Sequence, residues 1–323
     1  MDISIVIPAY NAAQTLKPCL DACLRQRVPA REIIVVDDGS SDATAAIAES
    51  LPGIRCIRQE NRGPAAARNR GARDAVGEIL VFTDADCVPH EDWLEQLVSA
   101  FAEGVVGVGG TYGMANPGTL LARLVHEEIL CRHGCFELEV DFLGSFNVAY
   151  RKEAFDAVGG FDESFRMASA EDNDLAYRLQ DAGGRLHFVP EAVVDHFHPD
   201  RLLPYLRTQM GHGYWRVKLY RKHPGRASGD QYAGRRELLA PALALAVLIS
   251  VVAFPFLPGY LAFAVLFVGA WAVLLYPQSP AALRARLPIV AKFYFGCVRF
   301  LRDVARGVGM LHGVWAFVLR RRA

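Results

Sequence analysis

The chain lacks the short motifs that mark several large enzyme classes. It has no GxxxxGK[ST] phosphate loop, no GxGxxG after its first predicted strand, no HExxH pair and no GxSxG elbow. P-loop hydrolysis, nicotinamide redox chemistry, zinc proteolysis and serine-hydrolase chemistry therefore lack their main sequence signal. The seven cysteines, an odd number, occur without a CxxC pair, so we do not expect a disulfide framework.

The 323 residues have a formal net charge of zero, but the charges are separated along the chain. Residues 1–200 carry 17 Lys and Arg against 32 Asp and Glu, whereas residues 201–323 carry 18 against 3. No aromatic residues interleave with the basic ones in a recognisable nucleic-acid fold, so a nucleic-acid partner is not expected. Because the basic residues flank apolar runs, the pattern favours a membrane surface instead.

Two long uncharged runs lie in the C-terminal third. Residues 238–257 form a run of 20 without a charge, and residues 260–276 form a run of 17. A 20-residue helix spans about 30 Å, the thickness of a hydrocarbon core. Arginines flank both runs, so the positive-inside rule predicts a two-span hairpin with both flanks in the cytoplasm. The alternative is a buried hairpin of a soluble domain.

Strand and helix patterns alternate through the first 110 residues or so. Four short β-branched runs, at residues 3–7, 33–37, 54–57 and 79–83, are separated by helical stretches. The alternation predicts βαβ units and an α/β fold with a doubly wound, mainly parallel sheet. The first run starts directly at the N-terminal end without a basic segment before it, so we expect no signal peptide and a cytoplasmic location for this part.

Carboxylates follow two of these runs. Asp37 and Asp38 end the second run, and Asp84-Ala85-Asp86 follows the fourth. Asp84 and Asp86 can share one hard cation, Mg²⁺ or Mn²⁺, which keeps sites open for substrate phosphates. For Asp37 and Asp38 the functional alternative is recognition of a base N–H or a ribose hydroxyl. Turn or helix-capping chemistry is the competing explanation for all four residues.

Two further polar motifs follow. Glu171-Asp172 opens a predicted helix, where the dipole favours an ionised carboxylate that could remove a proton from an attacking hydroxyl, although the charge could also serve only the helix. His196 and His198 follow the last predicted strand, and neutral imidazole binds Mn²⁺-type ions, although histidines near loops are more often simply exposed. Carboxylate clusters at one sheet edge suit a metal ion, a diphosphate and a general base. We therefore predict an enzyme that handles a nucleotide-diphosphate substrate.

Over roughly residues 1–200 the chain resembles the family 2 glycosyltransferases, inverting enzymes of the GT-A fold. The resemblance is carried by residues 5–11, 35–40, 61–69, 84–86, 144–162 and 171–175. It implies that a nucleotide-diphosphate sugar is bound by Pro8, Ala9, Tyr10, Asp37, Asp38, Asn61, Gly63, Arg68, Asp84 and Ala85, with Asp38 on the base. It further implies Asp86, Asp84 and His196 as ligands of Mg²⁺ or Mn²⁺. Asp172, beside Glu171, is implied as the general base.

The resemblance also bears on the acceptor. Processive members of the family carry a Gln-x-x-Arg-Trp motif, and the nearest segment here, residues 209–216, does not have that spacing. This favours the addition of a single sugar. The predicted hairpin resembles that of bacterial enzymes that build cell-surface glycans, which implies a lipid-linked or glycolipid acceptor at the membrane.

These inferences predict four segments and one location. The segments are a GT-A catalytic domain at residues 1–200, a basic juxtamembrane helical linker at 201–236, a two-span transmembrane hairpin at 237–278 and amphipathic basic helices at 279–323. The expected location is the cell inner membrane, as a multi-pass protein with a cytoplasmic catalytic domain. Two alternatives remain: a sugar-phosphate nucleotidyltransferase, whose glycine-rich basic opening loop is absent, and a catalytically silent membrane scaffold.

Overall fold

The computed structural model describes residues 1–227, 229, 231, 235–275 and 289–320. Its contacts divide the chain into two compact units. The sheet unit comprises Met1–Pro117 and Cys135–His198, and the helical unit comprises Gly118–Gly134 and Pro199–Ala323.

The sheet unit is organised around one mixed sheet, which has eight strands among the residues described. The strands are β1 Ile3–Ala9, β2 Glu32–Asp37, β3 Ile54–Arg58, β4 Ile79–Thr83, β5 Cys87–Pro89, β6 Val105–Met114, β7 Asn147–Arg151 and β8 Arg185–His196. Their order across the sheet is β3-β2-β1-β4-β7-β6-β8-β5. The first four in this order are parallel, β7 is antiparallel to both its neighbours, and β5 is antiparallel to β8. The prediction of an α/β fold is confirmed.

Helices cover the sheet and build the second unit. Those of the sheet unit are α1 Leu16–Leu24, α2 Thr44–Ser50, α3 Pro64–Asp74, α4 Trp93–Ser99, α6 Lys152–Ala157 and α7 Glu171–Asp181. Those of the helical unit are α5 Leu120–His133, α8 Leu202–Lys222, α9 Arg235–Ala253, α10 Tyr260–Leu275 and α11 Ile289–Val314.

The strand period of two divides the apolar side chains between two cores. In β1, Ile5 and Ile7 belong to one core and Val6 to the other. In β4, Val81 and Phe82 divide in the same way. Fully burying each such side chain contributes roughly 1.5–3 kcal/mol, so the central strands are held on both faces. Burial on both faces holds the central strands rigidly, and so fixes the position of the polar loops that follow them.

The parallel register brings the ends of three strands to one edge. Pro8 lies opposite Val36 and Ala9 lies opposite Asp37, and β1 also pairs with β4 on its other side. The loops that follow these strands carry Tyr10, Asp38 and Asp84, in keeping with the place where open α/β sheets bind ligands.

The two apolar runs form a pair of helices. α9 stops at Ala253, short of the predicted end at residue 257, and α10 comprises Tyr260–Leu275, after which the next described residue is 289. Within the described ranges, no helix has both the length and the apolar character that crossing a membrane requires. The predicted transmembrane hairpin and the multi-pass inner-membrane location are therefore wrong.

The predicted amphipathic helix near the C-terminal end exists as α11, but its polar residues do not all face outward. Arg302 and Asp303 are buried within the helical unit. Their burial is possible because Glu128 of α5 pairs with Arg302 at 2.7 Å. The arginines at 284 and 286, which follow the second apolar run, lie outside the described residues.

Candidate active site

Asp38 fixes the loop that leads into α3. Its Oδ1 accepts hydrogen bonds from Gln59 Nε2 at 2.7 Å and the Arg62 N–H at 2.9 Å, and its Oδ2 accepts from the Gly63 N–H at 2.8 Å. Gly63 has φ of 91°, and a Cβ there would lie 2.8 Å from the carbonyl oxygen of Arg166. Only glycine fits both the conformation and the space. The Asp38 carboxylate therefore holds the backbone of the predicted donor segment in place through hydrogen bonds to residues 62 and 63.

The neighbouring loop after β1 is tied to the turn that follows β2. The Asn11 N–H donates to Ser40 Oγ at 2.9 Å, and Asn11 Oδ1 accepts from the Ser41 N–H at 2.8 Å. Asp37, buried at the end of β2, accepts from the Ser40 N–H at 3.2 Å. Tyr10 remains 55% exposed. The exposed ring thus stands on a loop whose backbone is held by side-chain hydrogen bonds.

Asn61 lies beside the same turn. A Cβ at Gly39, which has φ of 78°, would lie 2.9 Å from the Asn61 backbone nitrogen. The close approach of these two backbones explains the glycine after Asp38. Asn61 itself is exposed, so its side chain is available at the edge of the site.

Arg68 of α3 joins two of the predicted motifs. Its side chain is 1% exposed, and its guanidinium donates to Asp84 Oδ1 at 2.7 Å and to Glu171 Oε1 at 2.9 Å. Burial on its own lowers the pKa of Arg68, but the carboxylates of Asp84 and Glu171 outweigh it and raise the pKa above its ordinary value. Arg68 was predicted to bind the donor. The structure shows it holding two carboxylates in place.

The first turn of α7 presents two carboxylates in different surroundings. Glu171 is buried, and its Oε2 accepts from the N–H groups of Ser169 at 2.7 Å and Ala170 at 3.1 Å. Asp172 is partly exposed, and its Oδ1 accepts from the Asn173 N–H at 2.8 Å. The helix dipole favours the ionised form at both positions. Of the two, Asp172 is the carboxylate that reaches solvent.

Strands β5 and β8 bring Asp86 and His196 together. His196 Nε2 lies 3.4 Å from Asp86 Oδ2, and its Nδ1 lies 3.1 Å from His198 Nδ1. Burial lowers the pKa of His196, but the Asp86 carboxylate outweighs it and raises the pKa. For Asp86, burial raises the pKa and the His196 imidazole outweighs it, so the pKa is lowered. Each side chain therefore favours the charged form of the other, and the Asp86 carboxylate is ionised.

Ligand atoms of Asp86, Cys87 and His196 lie within 4.8 Å of one another. The 3.4 Å separation of Asp86 and His196 is close to the roughly 3 Å between neighbouring ligands of an octahedral ion with 2.1 Å bonds. Carboxylate and imidazole suit Mg²⁺ or Mn²⁺, so these two side chains fit such a cation. Asp84 lies outside this group among the described residues, and its Oδ1 is paired with Arg68.

Sequence reasoning missed residues whose contacts are set by distant parts of the chain. Tyr112 stacks on Phe146 with ring centroids 3.5 Å apart, and its edge faces His196 at 5.0 Å. Asn69 clamps the backbone of Phe161, donating to its carbonyl at 2.8 Å and accepting from its N–H at 2.9 Å. Asn69 lies in a segment that carries the resemblance, but Tyr112 had no local signal because the sheet order places it beside β7 and β8.

Two family profiles match the first 200 residues. The profile described as Glycosyl transferase family 2 matches residues 4–162. A profile described as the N-terminal domain of galactosyltransferase matches residues 137–200, which include Asp172 and His196. Residues 4–162 are therefore similar to glycosyltransferase family 2.

Curated relatives of the family 2 region are glycosyltransferases. The chain is 31% identical over 244 residues to a pre-mycofactocin glycosyltransferase of Mycobacterium tuberculosis, covering 70% of this chain and 49% of that protein. It is 32% identical over 210 residues to glycosyltransferase AglE of Haloferax volcanii, covering 60% of this chain and 66% of that protein. The chain thus spans about half the length of the first relative and about two thirds of the second.

A solved structure matches most of the chain. The mannosyltransferase PcManGT of Pyrobaculum calidifontis, in complex with GDP-Man and Mn²⁺, gives a TM-score of 0.61 at 21% identity, covering 98% of this chain and 87% of that one. At this identity the likeness shows the fold alone. The fold is consistent with the GT-A type of the glycosyltransferases.

Proposed function

We propose that the chain is a metal-dependent, inverting glycosyltransferase that moves one sugar from a nucleotide-diphosphate sugar to a hydroxyl group. The observation that carries the proposal is the double ion pair of Arg68 with Asp84 and Glu171. Asp84 is two residues from Asp86, and Glu171 is adjacent to Asp172. The candidate metal ligand and the candidate base therefore flank one buried guanidinium.

The donor is assigned to the loops at the carboxyl ends of β1, β2 and β4. Pro8, Ala9 and Tyr10 of the first loop and Asp37 and Asp38 of the second are assigned to the donor. Asp38 already accepts three hydrogen bonds, but an ionised carboxylate has about four acceptor positions, so it can hold its loop and still accept a base N–H. The complex of PcManGT with GDP-Man supports a nucleotide sugar as the donor class.

The remaining donor contacts are assigned to Asn61, Gly63 and Arg68 and to Asp84-Ala85. Asp86 and His196 would hold Mg²⁺ or Mn²⁺, and Asp84 could contribute through its second oxygen. Such a cation supplies the positive charge that stabilises a diphosphate leaving group. The Mn²⁺ in the PcManGT complex supports a divalent ion of this kind.

The chemical step is assigned to Asp172. Its carboxylate takes the proton of the acceptor hydroxyl, and that oxygen forms a bond to the anomeric carbon. The bond from the anomeric carbon to the phosphate oxygen breaks, and the nucleoside diphosphate leaves with the bonding electrons. Attack from the face opposite the leaving group inverts the anomeric configuration. General base catalysis of this kind contributes about 10²–10⁴-fold to a rate.

The acceptor side of the proposal concerns the number of sugars added and the nature of the acceptor. The missing Gln-x-x-Arg-Trp spacing favours single-sugar addition, and Gln209 here accepts a hydrogen bond from Arg306 Nε at 2.8 Å inside the helical unit. A lipid-linked or glycolipid acceptor in cell-surface glycan synthesis rests on resemblance alone, because the helix pair that suggested it is not a transmembrane hairpin.

A calorimetric titration tests the proposal. UDP, GDP, dTDP and CDP are each titrated with and without Mn²⁺ into the unaltered protein, into Asp86→Ala and into a matched control, Asp21→Ala. Asp21 is a carboxylate of α1 that pairs with Lys17 at 2.8 Å. We expect one nucleotide to bind only with Mn²⁺, and this binding to be lost in Asp86→Ala and kept in the control.

Other outcomes decide against parts of the proposal. Unchanged binding in Asp86→Ala places the cation elsewhere, and binding of none of the four nucleotides contradicts the donor class and favours a catalytically silent scaffold. Release of pyrophosphate instead of nucleoside diphosphate during turnover identifies a nucleotidyltransferase.

A further inference from the structure

The Cys87 sulfur lies close to the side chains of Asp86 and His196, the two assigned metal ligands. It is the first residue of β5 and lies directly opposite His196 of β8 in the antiparallel ladder. Residues directly opposite in such a ladder point to the same face, with Cβ atoms about 4.5–5.5 Å apart. The Cys87 sulfur also lies 3.9 Å from Asp86 Oδ1. Sulfur, imidazole and carboxylate therefore converge.

We propose that Asp86, Cys87 and His196 together form a three-ligand site for a thiophilic divalent cation, with Zn²⁺ as the physiological example. The inference rests on the proposed function in one respect, since it shares Asp86 and His196 with the assigned site for Mg²⁺ or Mn²⁺. It adds a ligand and a metal class that the assigned site does not include.

The distances suit zinc. Zn–S bonds of about 2.3 Å and Zn–N bonds of about 2.0 Å place the ligand atoms of a tetrahedral ion about 3.5 Å apart. Asp86 Oδ2 and His196 Nε2 are 3.4 Å apart, and Asp86 Oδ1 and the Cys87 sulfur are 3.9 Å apart. One ligand atom from each of the three residues lies within 4.8 Å of the others, so side-chain shifts of about 1 Å complete the set. Three protein ligands and one open position are the usual composition of a reactive zinc site.

The competing explanation is that Cys87 is only a core thiol. Cys19, Cys23 and Cys87 all belong to the same apolar cluster. Among the described residues, however, only Cys87 joins a carboxylate and an imidazole in a group that could hold a metal. Cys19 instead points its sulfur at the Asp84 carbonyl oxygen, 3.5 Å away. The ladder position opposite His196 is what distinguishes Cys87.

Binding forms a sulfur–metal bond and releases the thiol proton to solvent, with no change of oxidation state. Hard ions such as Mg²⁺ gain little from sulfur, whereas Zn²⁺ binds thiolates strongly. A zinc ion would therefore occupy Asp86 and His196 more tightly than the assigned cation does. The expected consequence is inhibition of sugar transfer by Zn²⁺ that rising Mn²⁺ relieves.

A cadmium titration tests the ligand directly, because a thiolate–cadmium bond adds an ultraviolet absorption band. The exposed thiols of Cys135 and Cys297 are first replaced by serine to remove competing sites. In this background we expect a band that saturates at one equivalent of Cd²⁺ and is displaced by Zn²⁺. Cys87→Ser should abolish the band and weaken Zn²⁺ binding at least about tenfold, since even outer-ligand changes cost 10–100-fold. The matched control is Cys23→Ser.

Each result decides the inference. Absence of a band in the background protein overturns it, and so does a band that survives in Cys87→Ser. If Cys87→Ser does not fold, His196→Gln in the same background must remove the band. The titration contains no nucleotide. A cadmium band through Cys87 without any nucleotide binding would therefore uphold this site and reject the glycosyltransferase proposal, and the reverse result would do the opposite.

Discussion

Each unit of the molecule contains a buried arginine that pairs with two carboxylates. Arg68 in the sheet unit is 1% exposed and bonds Asp84 and Glu171. Arg302 in the helical unit is 2% exposed and bonds Glu128 at 2.7 Å and Asp303 at 2.9 Å. The local arrangement is similar, but the surroundings of the carboxylates differ.

In the helical unit the carboxylates are closed off. Glu128 and Asp303 are themselves buried, and Asp303 also accepts from Trp271 Nε1 at 2.9 Å. In the sheet unit, Asp84 and Glu171 stand beside carboxylates that reach solvent, Asp86 and Asp172. A buried arginine bridge is therefore no marker of an active site by itself. What marks the site is the partly exposed carboxylate next to each end of the bridge.

The most severe test of this comparison removes each arginine in turn. Arg68→Met and Arg302→Met should each lower the free energy of unfolding by about 3–5 kcal/mol, because each leaves at least one buried carboxylate, Glu171 or Glu128, without its arginine partner. At a temperature where both variants remain folded, only Arg68→Met should lose metal-dependent nucleotide binding. Urea unfolding and calorimetry measure the two effects. If Arg302→Met lost nucleotide binding equally, the distinction between the two bridges would fail.

A second change leaves the bridge intact and alters only the exposed carboxylate. Asp172→Asn should reduce the rate of sugar transfer by about 10²–10⁴, because the amide cannot take the acceptor proton. Donor binding should be unchanged, since Arg68 and Glu171 keep their contacts. Initial rates with the nucleotide selected by calorimetry provide the measurement, and Asp156→Asn on α6 is the matched control. A rate near that of the unaltered protein would end the assignment of Asp172 as base.

The sequence predicted the sheet side of this comparison well for a physical reason. Parallel strands buried on both faces read as continuous apolar runs, and the runs at residues 3–7, 33–37, 54–57 and 79–83 became β1 to β4. The motif residues at the strand ends could be located from the runs alone. The ion pair between Arg68 and Glu171 could not be predicted, because 103 positions separate the two residues in the sequence. The pairing of β5 with β8 is equally non-local.

The helical side was predicted less well. Hydropathy alone set the length of the predicted spans, whereas α9 ends earlier, at Ala253. Arg302 and Asp303 lie in the segment predicted to form amphipathic helices, in which charged side chains usually face outward. They are buried because Glu128 of α5, a helix that was not predicted, pairs with Arg302. A charged residue of an amphipathic helix is usually expected at the surface, but a partner from a helix distant in sequence allows it to be buried.

The smallest expected effect also belongs to the helical unit. His133 is 7% exposed, and burial, followed by the charges of Arg132 and His126, lowers its pKa to about 4. The unfolded chain binds this proton with a pKa of about 6.5. The unfolded state therefore gains the proton first as pH falls, so the stability from His133 is complete above about pH 6.5 and is lost towards pH 4.

Between pH 7 and pH 5 this difference should cost about 2 kcal/mol of unfolding free energy. Urea unfolding at both pH values should show the loss in the unaltered protein and a smaller loss in His133→Gln. The matched control is His90→Gln, whose side chain is 45% exposed; that variant should keep the full pH dependence. Equal slopes for the unaltered protein and His133→Gln would mean that the buried histidine does not set the acid stability of the helical unit.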